Sequence, residues 1–204
     1  RNICALSGPN LAMEIVKGKP SSTVIASSNI EVCTKAQKLL NSKQLRIYTN
    51  DDIIGVEIGG ALKNITAIAV GISDGLQFGD NAKAAIITRG LAEIARLGES
   101  LGAKKSTFSG LAGMGDLIAT CSSSLSRNNQ VGRMLATGQS IQDIHKTMKN
   151  VAEGVKTTEA AISISRATGI SMPIASSVYD VLFNGIEPTH AVSSLMERAP
   201  TSEN

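Results

Sequence analysis

The stretch from residue 53 to residue 70 constrains the fold most strongly, because it is apolar on nearly every side of the helix that it predicts. A helix of that kind belongs in the middle of a core. Two adjacent glycines, Gly59 and Gly60, each cost about 1 kcal/mol relative to alanine, which indicates that a neighbouring element or a ligand approaches the backbone there. Burial of the one lysine in this stretch, Lys63, costs free energy unless its amine is paired with a counterion or serves a function. The alternative is that Lys63 extends to solvent.

Composition restricts the class of protein. The chain has 204 residues, of which 42% are hydrophobic and 18% charged, enough for the core of one large domain or two small ones. Residues 1–50 carry seven Lys/Arg against two Asp/Glu, a balance of +5, and the remainder carries thirteen against fifteen, a balance of −2. This gradient is mild and aromatic residues are only 2%, so a nucleic-acid surface is not expected. A modest positive potential suits a small anionic ligand.

Cysteine and histidine usage excludes several kinds of site. Cys4, Cys33 and Cys121 are odd in number and far apart, so neither a disulfide framework nor a zinc site is predicted, and a reducing, cytoplasmic compartment fits. His145 and His190 are the only histidines, too few for a histidine-based metal site or triad. The longest uncharged run, 167–179, predicts no membrane span, and no signal peptide is predicted.

The chain divides near residue 50. Three short strands, at 2–6, 22–26 and 45–48, alternate with helices at about 11–17 and 31–41. This order is typical of the end of an α/β sheet, so we expect the chain to be the back part of a longer protein. From residue 51 onward the pattern predicts helices joined by Gly, Ser and Asn turns, with Asp51 or Asp52 as the cap of the lysine helix. The later helices are predicted at 81–101, 106–110, 127–137, 141–149, 153–168, 173–184 and 189–198.

A carboxylate follows a glycine-rich turn at Gly113-Met114-Gly115-Asp116. One interpretation is that Asp116 caps the apolar helix that follows. The functional interpretation makes Asp116 the partner of a buried cation, for which Lys63 is the candidate.

A second candidate site lies at Ser126-Arg127-Asn128. A serine cap followed by arginine in the first helical turn is unusual, because the helix dipole favours acids there. An anion such as phosphate, held by the Ser126 hydroxyl, the Arg127 and Asn128 side chains and the helix N-terminus, would explain the arrangement. The alternative is a solvated arginine.

Six motifs together resemble the NAD(P)-dependent glycerol-3-phosphate dehydrogenase family in its bacterial form. They occur in the family's order and extend over nearly the whole chain: 6–9 (LSGP), 59–64 (GGALKN), 87–90 (ITRG), 113–117 (GMGDL), 126–128 (SRN) and 151–154 (VAEG). The resemblance implies an α+β chain: residues 1–50 would be the last strands and helices of a Rossmann-like cofactor domain, and 51–204 an all-helical substrate domain.

The resemblance also implies roles for single residues. Lys63 would be the general acid/base, assisted by Asp116. Positions matching the family's contacts to the small phosphorylated substrate are Gly8, Asn10, Lys63, Asn64, Asp116, Thr120, Ser126, Arg127 and Asn128. Positions matching contacts to NAD or NADP are Ala12, Arg127, Val151 and Glu153. Asn10 departs from the family, which usually has serine or threonine there. The family's G-x-G-x-x-G loop and its second lysine do not occur in these 204 residues.

The implied chemistry agrees with the residues. Reduction of a ketone by hydride places negative charge on the carbonyl oxygen, which needs a proton donor within hydrogen-bond reach. The product, glycerol 3-phosphate, is a precursor of glycerophospholipids. Two other interpretations stay open: a hydroxy-acid reductase of similar architecture, and a non-catalytic helical interaction module. The apolar helices also leave room for a homodimer interface.

Overall fold

The structure, a computed structural model, describes residues 2–148, 152–200 and 202. The first part is a small three-stranded sheet with two helices, in the order β1 (Ala5–Ser7), α1 (Ala12–Val16), β2 (Ser21–Ala26), α2 (Ile30–Leu40) and β3 (Leu45–Asn50). Strand β2 lies in the centre, parallel to β3 and antiparallel to β1. The sheet is therefore mixed, with an antiparallel strand beside a parallel pair, a common arrangement in α/β proteins.

Beyond Asn50 the described residues form helices and turns only. The helices are α3 (Ile53–Gly75), α4 (Gly79–Ser100), α5 (Lys105–Phe108), α6 (Asp116–Ser122), α7 (Arg127–Ala136), α8 (Ile141–Thr147), α9 (Glu153–Thr168), α10 (Pro173–Phe183) and α11 (Pro188–Met196). A five-residue π-helical turn, Leu111–Gly115, leads directly into α6. The α+β architecture predicted from the sequence is confirmed, and most helix ends fall within two residues of their predicted positions.

Helix α3 is the centre of the helical part, as its apolar sequence predicts. Its side chains Ile65, Ile68 and Ile72 are nearly fully buried in one cluster with Leu97 of α4 and Val131 of α7. Within the described residues α3 is also the one helix long and apolar enough to cross a membrane, a test that core helices of soluble proteins pass as well. Here 56% of that apolar window is buried inside the protein.

The N-terminus of α3 is fixed by a buried carboxylate. Asp52 accepts hydrogen bonds from the Gly55 N–H (2.8 Å), the Lys104 N–H (2.8 Å) and the Thr107 hydroxyl (2.6 Å). Burial by itself raises the pKa of Asp52, but these hydrogen bonds outweigh it and hold the pKa below its usual value. The predicted cap is thus Asp52, and it also ties α3 to the loop after α4.

Glycines let other elements approach α3 closely. A Cβ at Gly59 would lie 2.6 Å from the Ala112 carbonyl oxygen in the π-helical turn. Farther along, a Cβ at Gly71 would overlap the Asn129 carbonyl of α7, and one at Gly132 would overlap the Ile68 carbonyl of α3. The close approach that the glycine pair predicts is therefore present, and it brings the turn before Asp116 onto the lysine helix.

Candidate active site

A cleft of about 700 Å³ lies where the end of β1 meets α3, α6, α7 and the start of α9. Its volume is in the range of small-molecule sites, roughly 300–1,000 Å³. Most of the predicted site residues line it, namely Asn10, Lys63, Asn64, Asp116, Thr120, Ser126, Arg127, Asn128 and Glu153. The fold thus brings five of the six sequence motifs into one cavity, and the 87–90 motif lies outside its lining.

Lys63 and Asp116 form an ion pair in the wall of this cleft. The Lys63 Nζ lies 2.5 Å from Asp116 Oδ1, and the two side chains are 17% and 4% exposed. The predicted pairing of these residues is confirmed, and Lys63 does not extend into bulk solvent. The N-cap interpretation of Asp116 is wrong: Gly115, which has no side chain, occupies the cap position of α6.

Three further donors hold the Asp116 carboxylate. The Thr120 hydroxyl lies 3.3 Å from Oδ1, while Oδ2 accepts from the Ser7 hydroxyl (3.1 Å) and the Gly8 N–H (3.3 Å). Gly8 has a φ of 142°, a conformation that favours glycine, and this conformation turns its N–H toward the carboxylate. The sequence motifs include Ser7, but nothing in them indicates that its hydroxyl reaches Asp116, which is 109 positions away.

The N-terminus of α7 also lines the cleft. Ser126 caps the helix by accepting a hydrogen bond from the Asn129 N–H (3.3 Å), as predicted, and its hydroxyl hydrogen stays available to a ligand. Arg127 follows in the first turn with an exposed side chain. A serine hydroxyl, a guanidinium and free helical N–H groups together form an anion-binding arrangement.

Two asparagines join the helices beneath this arrangement. Asn128 donates to Asn64 Oδ1 (2.8 Å) and accepts from the Gly154 N–H (2.9 Å), so that it ties α7 to α3 and to the start of α9. Both side chains are buried. They fix the position of Arg127 relative to Lys63.

The remaining predicted positions differ in their placement. Asn10 lies in the cleft wall and donates to the Thr23 hydroxyl (3.3 Å), and Glu153 is exposed at the rim. Ala12 is exposed on α1 and does not line the cleft. Val151 lies outside the described residues.

The cysteine on the helix that carries Asp116 is unreactive. Cys121 on α6 is 1% exposed, and burial together with the nearby Asp74 carboxylate raises the pKa of its thiol to about 12. It therefore stays protonated and is a poor nucleophile. Across the described ranges no group of three or more His, Cys, Asp or Glu side chains could hold a metal ion. The chemistry available in the cleft is proton transfer at the Lys63 amine and anion binding at Arg127.

Comparison with known proteins gives a consistent result. The family model described as the C-terminus of NAD-dependent glycerol-3-phosphate dehydrogenase matches residues 52–193. A glycerol-3-phosphate dehydrogenase [NAD(P)+] of Dehalococcoides mccartyi is 56% identical over 196 residues, covering 96% of this chain and 55% of that protein. Its counterpart from Geobacillus kaustophilus is 52% identical over 203 residues, covering 99% and 59%. The chain spans a little over half the length of these relatives.

Solved structures agree with the sequence relatives. The crystal structure of glycerol-3-phosphate dehydrogenase from Coxiella burnetii superposes with a TM-score of 0.93 at 40% identity, covering 96% of this chain and 60% of that one. The yeast enzyme superposes with a TM-score of 0.83 at 28% identity, covering 95% and 59%.

Proposed function

This chain belongs to the NAD-dependent glycerol-3-phosphate dehydrogenase family, and we propose that the full-length protein interconverts glycerol 3-phosphate and dihydroxyacetone phosphate with NAD or NADP. The observation that carries the proposal is the placement of the Lys63–Asp116 pair in the same cleft as Arg127. The substrate has two parts that need different partners: a carbonyl that must be protonated and a phosphate that must be held. The cleft offers one partner for each.

Lys63 is the proposed proton donor. When hydride adds to the carbonyl carbon, negative charge develops on the carbonyl oxygen, and an ammonium within hydrogen-bond reach can neutralise it by transferring a proton. In the reverse direction the amine takes the proton from the hydroxyl. Asp116 keeps the amine in place, and its burial strengthens their interaction relative to water.

Arg127, Ser126 and the N-terminus of α7 are the proposed phosphate site. The phosphate does not react, so its binding energy orients the carbonyl toward Lys63 and reduces the entropy lost at the transition state. Thr120 and Asn64, which line the cleft between the two ends, are proposed contacts to the hydroxyl and carbonyl oxygens of the substrate. Asn10 completes this wall from the β1 side, whereas Gly8 is buried and reaches the site only through its N–H on Asp116.

The nicotinamide cofactor supplies the hydride. Of the proposed cofactor positions on this chain, Arg127 and Glu153 line the cleft and fit contacts to it. Ala12 lies outside the cleft wall, so a contact from it needs a part of the cofactor that extends past α1. These 204 residues contain no G-x-G-x-x-G loop. We therefore propose that the main contacts to the phosphates of the dinucleotide come from other segments of the full-length protein.

The decisive assay is oxidation of NADH and of NADPH by the full-length protein, followed at 340 nm, with dihydroxyacetone phosphate or pyruvate as substrate. We expect turnover with the phosphorylated ketone and little with the keto acid, because pyruvate has no phosphate for Arg127 to bind. Preference for pyruvate would indicate the hydroxy-acid reductase instead. No turnover with either substrate would favour the non-catalytic module.

We also propose that the protein works in the cytoplasm, where it supplies glycerol 3-phosphate for phospholipid synthesis. All three cysteines are free, two of them buried, which is compatible with a reducing compartment. A homodimer is a further proposal, which sedimentation of the full-length protein tests.

A further inference from the structure

The Asp116 carboxylate uses its two oxygens differently. Oδ1 accepts hydrogen bonds from the Lys63 amine and the Thr120 hydroxyl, which belong to the helical part of the chain. Oδ2 accepts hydrogen bonds from the Ser7 hydroxyl and the Gly8 N–H, which lie at the end of β1. A carboxylate with donors on only one oxygen can rotate about its terminal torsion, which has a broad energy minimum. The donors on Oδ2 therefore fix the angle at which the carboxylate faces Lys63.

Ser7 is itself held firmly in place. It pairs with Val24 in the sheet, and its carbonyl oxygen accepts a hydrogen bond of 2.7 Å from the fully buried Thr23 hydroxyl. Of the two donors on Oδ2, the Ser7 hydroxyl is the closer, at 3.1 Å against 3.3 Å for the Gly8 N–H. A hydroxyl on a rigid strand is well suited to orient a neighbouring charged group.

The second glycine of the lysine helix makes room for this hydroxyl. A Cβ at Gly60 would lie 2.7 Å from Ser7 Oγ, but 3.5 Å from Ser7 Cβ, which is ordinary contact. Among the described residues, no other atom outside the backbone of α3 itself lies within 4 Å of it. Gly60 therefore differs from Gly59, whose added Cβ would meet a backbone carbonyl that cannot rotate away.

We propose that Ser7 is a positioning residue for the Lys63–Asp116 pair and that Gly60 is needed because its missing side chain leaves space for the Ser7 hydroxyl. The inference rests on the function proposed above. Through Ser7, the sheet sets the orientation of the carboxylate that directs the Lys63 amine at the substrate. Because Ser7 does not contact the phosphate site, its loss affects turnover and not phosphate binding.

A double-mutant cycle in the full-length protein tests the inference. The variants are Ser7→Ala, Gly60→Ala and the combination of both, with kcat and KM measured for dihydroxyacetone phosphate. We expect Ser7→Ala to lower kcat about tenfold, the effect of one hydrogen bond to a charged group, with KM nearly unchanged. Gly60→Ala should lower kcat by a similar factor, because the new methyl group turns the Ser7 hydroxyl away from Asp116.

The double variant tests whether Gly60→Ala lowers kcat by displacing the Ser7 hydroxyl. Once Ser7→Ala has removed the hydroxyl, no described atom outside α3 lies closer than 3.5 Å to a methyl group at residue 60, so kcat should equal that of Ser7→Ala alone. The double variant should also unfold at a higher temperature than Ser7→Ala, because alanine favours a helix more than glycine does. Multiplicative losses of kcat in the double variant, or a normal kcat in Ser7→Ala, would overturn the inference.

Two controls separate this inference from the proposed function. Ser28→Ala removes an exposed hydroxyl between β2 and α2, and should leave kcat and KM unchanged. A wild-type protein that does not turn over dihydroxyacetone phosphate contradicts the proposed function. If the wild-type protein turns it over but the kcat losses of the two single variants multiply in the double variant, only the role of Ser7 and Gly60 is contradicted.

Discussion

At the scale of single residues, the cleft-lining cations Lys63 and Arg127 have surroundings that suit the separate tasks proposed for them. Lys63 is nearly buried on its carboxylate, whereas Arg127 is exposed at a helix N-terminus. A buried, paired amine suits a group that transfers a proton, and an exposed guanidinium suits a group that must meet an anion arriving from solvent. Substitution of each residue should therefore change a different kinetic constant.

Arg127→Ala in the full-length protein should raise KM for dihydroxyacetone phosphate by about tenfold to a hundredfold, the effect of one charge-assisted contact. Its kcat should fall much less than its affinity, because the substrate still reaches Lys63 once it is bound. Steady-state kinetics over a wide substrate range measures both constants. Arg46→Ala, which removes an exposed arginine on β3 away from the cleft, is the matched control. An unchanged KM in Arg127→Ala would contradict the phosphate site.

Some of these residues could be predicted from the sequence and others could not. The Lys63–Asp116 pair could, because an amine in an apolar helix needs a counterion and a carboxylate after a glycine-rich turn is a plausible one. The contact from Ser7 could not, because the partner of a serine hydroxyl depends on tertiary geometry and leaves no local pattern. Likewise, the resemblance gives Ala12 a role by position alone, and the structure places it on an exposed helix face.

At the scale of elements, α10 depends on a cap supplied by another helix. It begins at Pro173 without a side-chain cap from its own segment, and the carboxylate of Glu93 on α4 accepts from the Ile174 N–H (2.7 Å) and the Ala175 N–H (3.2 Å). The apolar periodicity of α4 is visible in the sequence, but an acid within that buried face is not explained by it. Only the packing of α10 against α4 shows why Glu93 is there.

The burial of Glu93 predicts a pH dependence of stability. Burial raises its pKa from 4.5 to about 7, although two backbone hydrogen bonds oppose the shift. Because the folded pKa is above the unfolded one, the contribution of Glu93 to stability is complete below pH 4.5 and is lost as the pH rises toward 7 and above, by about 3 kcal/mol in total. Urea unfolding between pH 4 and pH 8 measures this effect: the free energy of unfolding should fall more steeply with pH in the wild type than in Glu93→Gln. Parallel pH profiles of the two proteins would contradict it.

Because α3 and α7 cross so closely, we expect a single added methyl group at their contact to lower stability strongly. A Cβ at Gly132 would overlap the backbone of α3 at Ile68 and Gly71, so Gly132→Ala must separate the two helices. We expect a loss of more than about 2 kcal/mol in the free energy of unfolding, together with a higher KM for the phosphorylated substrate, because α7 carries Arg127. Denaturant unfolding and kinetics of the same variant measure both effects.

Gly138→Ala is the control for this crossing. Gly138 has a φ of 83°, and no atom of the described residues lies within 4 Å of an added Cβ, so alanine there should cost only the backbone strain, roughly 1–2 kcal/mol, and leave KM unchanged. If Gly132→Ala and Gly138→Ala destabilised the protein equally with no change in KM, the close approach of the helices would not determine the site.

At the scale of the whole molecule, the sequence predicted the order of elements well because each part has a strong local signal. Ser126 and Ser140 cap α7 and α8, and Gly169 in a left-handed conformation ends α9. The antiparallel pairing of β1 and the π-helical turn before Asp116 were not predicted, since both result from contacts between distant segments. These two features are the ones that place Ser7 and Asp116 beside Lys63.

The central claim is that Lys63 transfers the proton in a cleft whose far side holds the phosphate. Its most direct test is the kcat of Lys63→Ala for NAD(P)H oxidation with dihydroxyacetone phosphate in the full-length protein, with Lys156→Ala, an exposed lysine of α9, as the control. The account predicts that kcat falls by about a hundredfold to ten-thousandfold, while KM changes only a few-fold and the control behaves as wild type. Turnover of Lys63→Ala close to that of wild type would contradict the account.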